Sequence, residues 1–175
     1  MSERDNLLSR LQLLDAEANL YFANDKRLHV AIVGGSALLL LNVITRATDD
    51  IDVLSISAEL ERFMHEYDMN TNVWAYICFF PYGYEDRYQL VYQGTIIDFY
   101  AVSLEDIVIA KLNAGREVDI CDITTPEILN ALNWNKLEEL ATSDNELKAS
   151  IMNSRQYSEF YHTYQEYVQR YRQEG

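Results

Sequence analysis

The stretch Asp49-Asp50-Ile51-Asp52-Val53 holds the residues best placed for chemistry. On an extended strand, residues two apart share a face. Asp50 and Asp52 then point one way, while Ile51 and Val53 pack the other way. Two neighbouring carboxylates repel each other and are costly to bury unpaired. A divalent cation relieves both problems, and magnesium favours a few carboxylates completed by water and substrate phosphates. A solvated acidic strand edge, or an aspartate paired with Arg46, accounts for the same residues without a metal.

Two further features bear on that pair. Val33-Gly34-Gly35-Ser36 ends an apolar run and opens a helix. Glycines there allow close approach of a ligand, and a helix N-terminus offers free N–H groups to a phosphate. Many ordinary turns share this pattern. The second feature is Asp98, which interrupts the apolar run Thr95-Ile96-Ile97-Asp98-Phe99-Tyr100. If its strand lies beside that of Asp50 and Asp52, three carboxylates meet. They would hold two metal ions about 3.5–4 Å apart for an in-line phosphoryl displacement.

Lys111 follows Leu104, Ile107 and Val108 by seven, four and three residues, so it shares the apolar face of its helix. A lysine there snorkels outward or reaches a buried anion, either a triphosphate or the aspartate cluster. Arg116, Asp119 and Asp122 form a polar network that orients it or a salt bridge between helices; a structural role is expected of Asp119 and Asp122. His29, His65 and His162 lack ligand spacing and receive no role.

The elements that must position these residues follow from periodicity. Residues 4 to 23 carry Leu7, Leu8, Leu11, Leu14 and Ala18 at helical spacing. Strands are expected at Leu28 to Val33, Ile51 to Ile56, Trp74 to Phe80, Arg87 to Tyr92 and Thr95 to Val102, with a hairpin at Gln93-Gly94. Short helices are expected at Ser36 to Asn42 and Glu59 to Met69. After Ser103 the pattern is helical: Ser103 caps Leu104 to Ala114, Gly115 stops it, Pro126 opens another helix, and Ser143 with Glu146 forms a capping box before the last. In that last helix Tyr157, Phe160, Tyr161, Tyr164, Val168 and Tyr171 make one stripe, suited to packing or dimerisation. The order predicts an α+β domain with one mixed sheet, a core over residues 1–125 and a helical extension over 126–175.

With these motifs in place, the chain resembles the DNA polymerase beta superfamily of nucleotidyltransferases. The likeness lies in Gly34-Gly35-Ser36, then Asp50-Ile51-Asp52 on the next strand, then Asp98. More narrowly, "VGGSALLL…RATDDIDVL…IIDFYAVSLEDIVIAKLNAGREVDICDI" is similar to small uncharacterised nucleotidyltransferase-like proteins related to AbiE-type toxins and minimal nucleotidyltransferases. It covers residues 28 to about 125. Asp49 departs from the pattern, which more usually has a basic or polar residue there. The resemblance implies a polymerase beta-like mixed sheet and transfer of a nucleoside monophosphate from an NTP to an RNA or protein acceptor. It implies Asp50, Asp52 and Asp98 as ligands of Mg2+ or Mn2+, with Asp98 also helping to deprotonate the acceptor. Gly34, Gly35 and Ser36 would hold the phosphates, and Arg46 and Lys111 are placed with them at the nucleotide. A toxin–antitoxin role, with an antitoxin or toxin partner or a homodimer, is part of the same expectation. A non-catalytic nucleotide- or partner-binding module is the alternative.

Bulk composition narrows the partners. With 28 acidic and 14 basic residues the net charge is −14, which opposes a polyanion except along a local basic route through Lys26, Arg27, Arg46 and Arg87. No apolar run, Ala37 to Leu41 among them, approaches the length of a membrane span, and the N-terminus has no signal pattern, so a cytoplasmic location is expected. Cys78 and Cys121 lie 43 positions apart, which argues against zinc and for reduced, buried thiols.

Overall fold

A computed structural model describes residues 1–22, 26–142 and 154–173; the expected capping box at Ser143 and Glu146 lies outside them. Contacts divide the chain into two compact units, Met1–Ala75 with Tyr88–Val102, and Tyr76–Arg87 with Ser103–Gly175.

The first unit is built on a five-stranded mixed sheet. Its elements in chain order are α1 (Glu3–Phe22), β1 (Leu28–Val33), α2 (Gly34–Leu40), β2 (Ile51–Ile56), β3 (Met69–Asn70), β4 (Gln89–Gln93) and β5 (Ile97–Ala101). The strand order is β3-β2-β1-β5-β4. β1 runs antiparallel to β2 and parallel to β5. Leu28, Val30 and Ile32 register with Ile97, Phe99 and Ala101, and Ile32 also with Val53. Residues opposite each other share a face, and all seven are buried, so they form one apolar layer. The other face carries His29 opposite Asp98, Ala31 opposite Ser55 and Val33 opposite Asp52. A register shift between Ala31 and Ile32 leaves Leu54 as the extra residue of β2.

Two segments differ from the periodic reading. Trp74 to Phe80, expected as a strand, lies in a 3-10 helix over Asn72–Phe79. Its alternate positions are all apolar, so no period of two marks a buried face. Local bonds fix the turns instead: Thr71 O accepts from Trp74 N at 3.0 Å, and Ile77 O from Phe80 N at 3.1 Å. The segment Ala58–Tyr67 is also 3-10 rather than α-helix, and the chain then supplies the short β3 beside β2.

Asp15 of α1 ties the helix to the β4–β5 hairpin. Its carboxylate accepts the N–H groups of Thr95 at 2.7 Å and of Ile96 and Ile97 at 3.0 Å each. Gly94 makes room for it, since a Cβ there would lie 2.4 Å from the Asp15 carboxyl carbon. Asp15→Ala orphans three backbone donors, two of them buried. An unfolding free energy lower by about 3 kcal/mol in urea titration is the expected result.

The second unit holds α3 (Leu104–Ala114), α4 (Glu117–Ile123), α5 (Pro126–Ala131), α6 (Trp134–Thr142) and α7 (Ser154–Tyr171). Ser103 caps α3 by accepting from Asp106 N at 3.2 Å, and Gly115 ends it at φ +66°. Of the aromatic stripe of α7, Phe160 and Tyr164 are buried while Tyr157, Tyr161, Val168 and Tyr171 are half-buried. Tyr167, outside that stripe, is also buried, and its hydroxyl donates to Ile123 O at 2.7 Å. Burial pushes the Tyr164 hydroxyl up to about 12. Cys78 and Cys121 are free but exposed, not the buried thiols expected from the sequence.

Candidate functional site

The glycine-serine turn and the aspartate strand meet because β1 pairs with β2 at Val33 and Asp52. Beyond the extended Val33 (φ −130°), Gly34 takes φ +69°, the left-handed region that a side chain disfavours. A Cβ on Gly34 would lie 2.9 Å from Asp52 Oδ2, so the carboxylate stands directly over the turn. Gly35 is just as tight: its Cβ would lie 2.8 Å from Thr48 Cγ2. The two glycines thus let the aspartate segment lie close against the start of α2.

Ser36 is 1% exposed. Its hydroxyl donates to Asp50 O at 2.9 Å and lies 2.9 Å from Thr48 Oγ1. With the serine proton given to Asp50 O, the threonine proton is the one between the two hydroxyls. The Ser36 donor is thus engaged inside the fold. Asp49 and Asp50 are exposed and Asp52 is half-buried. Asn70 of β3 registers beside Asp52 on the far side from Val33.

Asp98 does not join this pair. β1 lies between β2 and β5, and Asp98 registers with His29 whereas Asp52 registers with Val33. Four residues of strand separate those positions, about 13 Å along β1, on opposite sides of that strand. Arg27 holds Asp98, with Nη2–Oδ1 at 2.6 Å and Nε–Oδ2 at 3.0 Å. That hydrogen bond raises the Arg27 guanidinium above its usual value against the opposing effect of burial. The expected three-carboxylate cluster is thus corrected to a pair. Among the described residues no group of three or more His, Cys, Asp and Glu side chains is arranged to hold a metal ion.

The remaining predicted residues divide clearly. Arg46 is exposed on the loop between α2 and β2. Lys111, in the second unit, finds its anion in Asp122 at 2.9 Å and Asp119 at 3.4 Å. Arg116 binds the same Asp119, with Nε–Oδ2 at 2.6 Å. Burial alone would raise the Asp119 carboxyl, but the Arg116 hydrogen bond and the charges of Lys111 and Arg116 hold it below its ordinary value. A depressed folded-state value contributes stability above the unfolded carboxyl range, about pH 4, and loses it as pH falls further. The melting temperature of the wild type should therefore drop more steeply from pH 5 to pH 3 than that of Asp119→Asn.

The supposed basic route is mostly occupied. Lys26 pairs with Glu59 at 3.6 Å, Arg27 with Asp98, and Arg87 with buried Asp106 at 2.8 Å. Sequence reasoning missed Thr48, although a hydroxyl two residues before Asp50 was a visible signal. It also missed Asn70, which no local pattern marks.

The structure thus places a strand ending in a glycine turn beside a carboxylate strand folded over it. The chain belongs to the family described as nucleotidyltransferase of unknown function (DUF6036), whose model matches residues 9–172. No curated protein and no solved structure matches it. No described helix is long and apolar enough to cross a membrane.

Proposed function

We propose that the chain is a metal-dependent nucleotidyltransferase of polymerase beta-like type, moving a nucleoside monophosphate from an NTP to an acceptor. The observation that carries this reading is the Asp52 carboxylate standing over Gly34, which places a metal-ligand type against the glycine turn that opens α2. The donor set fits Mg2+ or Mn2+: an exposed and a half-buried carboxylate two residues apart, leaving other positions to water and phosphate oxygens. A divalent cation held by Asp50 and Asp52 would offset triphosphate charge as it shifts towards the leaving pyrophosphate. Gly34 and Gly35 leave room for Asp52 and Thr48 to lie against the turn, and exposed Arg46 supplies a cation on the loop that leads into the aspartates. Lys111 has a protein anion already in Asp119 and Asp122, so its place on the apolar helix face needs no nucleotide.

The acceptor we favour is a protein, in a toxin–antitoxin pair or a second copy of the chain, rather than RNA. Three of the four basic residues available for an RNA route are bound to carboxylates. The distant Asp98 also supports a second reading, a nucleotide- or partner-binding module without catalysis. Calorimetry with each NTP and Mg2+ tests the shared core of both: binding by the wild type that Asp50→Asn and Asp52→Asn weaken is expected. Equal binding by the double variant contradicts it.

A further inference from the structure

The contacts between the two motifs run in sequence. Gly34 faces Asp52, Gly35 faces Thr48, and Ser36 bonds both Thr48 and the carbonyl of Asp50. None of the three contacts needs a ligand. Resting on the nucleotidyltransferase reading, we propose that Ser36 and Thr48 are positioning residues for the metal carboxylates and that Ser36 touches no phosphate.

The argument is one of donors and space. A serine hydroxyl has one proton, and Ser36 gives it to Asp50 O. Thr48 then gives its own proton to Ser36, which fills an acceptor position on the serine. At 1% exposure Ser36 has no surface left for a triphosphate. Fixing the Asp50 carbonyl fixes the peptide plane between Asp50 and Ile51, and with it the direction in which the exposed Asp50 side chain leaves the backbone. Thr48 is seated by its methyl group, which occupies the space that a side chain on Gly35 would take. The Gly-Gly-Ser segment is on this account a template for the Thr48–Asp52 segment, and only the glycine backbone remains open to a nucleotide.

The test is Mn2+ titration of the protein without nucleotide, read by the free-ion electron spin resonance signal, beside MgATP calorimetry and melting temperatures. The variants are Asp52→Asn, Ser36→Ala, Thr48→Val, Thr48→Ser and the Ser36→Ala/Thr48→Val pair. Thr48→Val keeps the methyl contact and Thr48→Ser keeps the hydroxyl. The expected result is a three- to tenfold weaker Mn2+ affinity for Ser36→Ala and for Thr48→Val, about the worth of one net hydrogen bond. Thr48→Ser should bind as the wild type does, and the pair should lose less than the product of the single losses. Wild-type Mn2+ affinity in Ser36→Ala with weaker MgATP binding would make Ser36 a phosphate ligand and overturn the proposal. If Asp52→Asn abolishes Mn2+ binding while the Ser36 and Thr48 variants match the wild type in both ligands, the proposal fails and the nucleotidyltransferase reading stands. If the wild type binds no Mn2+, both fall.

Discussion

Asp52→Asn is expected to lower nucleotidyl transfer about a thousandfold while leaving the melting temperature within a few degrees of the wild type. The size follows from the several kcal/mol that a bound metal contributes to charge stabilisation, at 1.36 kcal/mol per tenfold in rate. The separation of activity from stability follows from the geometry. Asp52 is half-buried at the start of β2, and asparagine keeps its shape against Gly34 and its backbone pairing with Val33. Asp50→Asn should behave alike, since its carboxylate is exposed and the structural bond from Ser36 is to its backbone carbonyl. Asp98→Asn is the contrasting case. Its loss breaks the pair with Arg27 and should cost stability rather than turnover. Transfer assays and melting curves on the three variants give the comparison. A thousandfold loss in Asp98→Asn at unchanged stability would return that residue to the site.

The second large effect lies in the second unit. Arg87 binds Asp106 through Nε at 2.9 Å and Nη2 at 2.8 Å, and Asp106 is fully buried. Ser103 donates to the same carboxylate at 2.6 Å while capping α3. Arg87→Leu leaves a buried carboxylate without its counter-charge, a change that costs roughly 3–5 kcal/mol. That is a large part of the 5–15 kcal/mol typical of a folded domain. The double variant Arg87→Leu/Asp106→Asn removes both charges and is expected to recover more than half of the loss. Urea titration of the single and double variants measures this. A single variant within 1 kcal/mol of the wild type would show that the pair does not hold α3.

How far these sites could be read from the sequence depended on whether the signal was local. The turn after Val33 and the strand at Ile51 are marked by residues that act within a few positions: glycines at a left-handed corner and alternating Asp and apolar residues. The same holds for Ser103 and Gly115 at the ends of α3. Asp98 shows where local signals stop. Its isolation in an apolar strand suggested a place beside Asp50 and Asp52. The partner is Arg27, because the strand order sets β1 between β5 and β2, and no local pattern encodes that order. Arg87 is similar. It reads as a surface cation until Asp106, 19 positions on, is found buried against it. The run Asn72–Phe79 misled because a uniformly apolar segment has no period from which to choose strand over 3-10 helix. Ser36 enters as a phosphate ligand through the resemblance alone. Its burial against Thr48 and Asp50 depends on how the loop returns.

The most direct test of the central claim is to incubate the purified chain with each α-labelled NTP, Mg2+ and cellular protein or RNA, and to follow label transfer and pyrophosphate release. The account predicts stoichiometric release of pyrophosphate with label on a protein acceptor, abolished in Asp52→Asn. Label on RNA would keep the enzyme and change the acceptor. No pyrophosphate from any NTP in the presence of both acceptor pools, or equal release by Asp52→Asn, would contradict it.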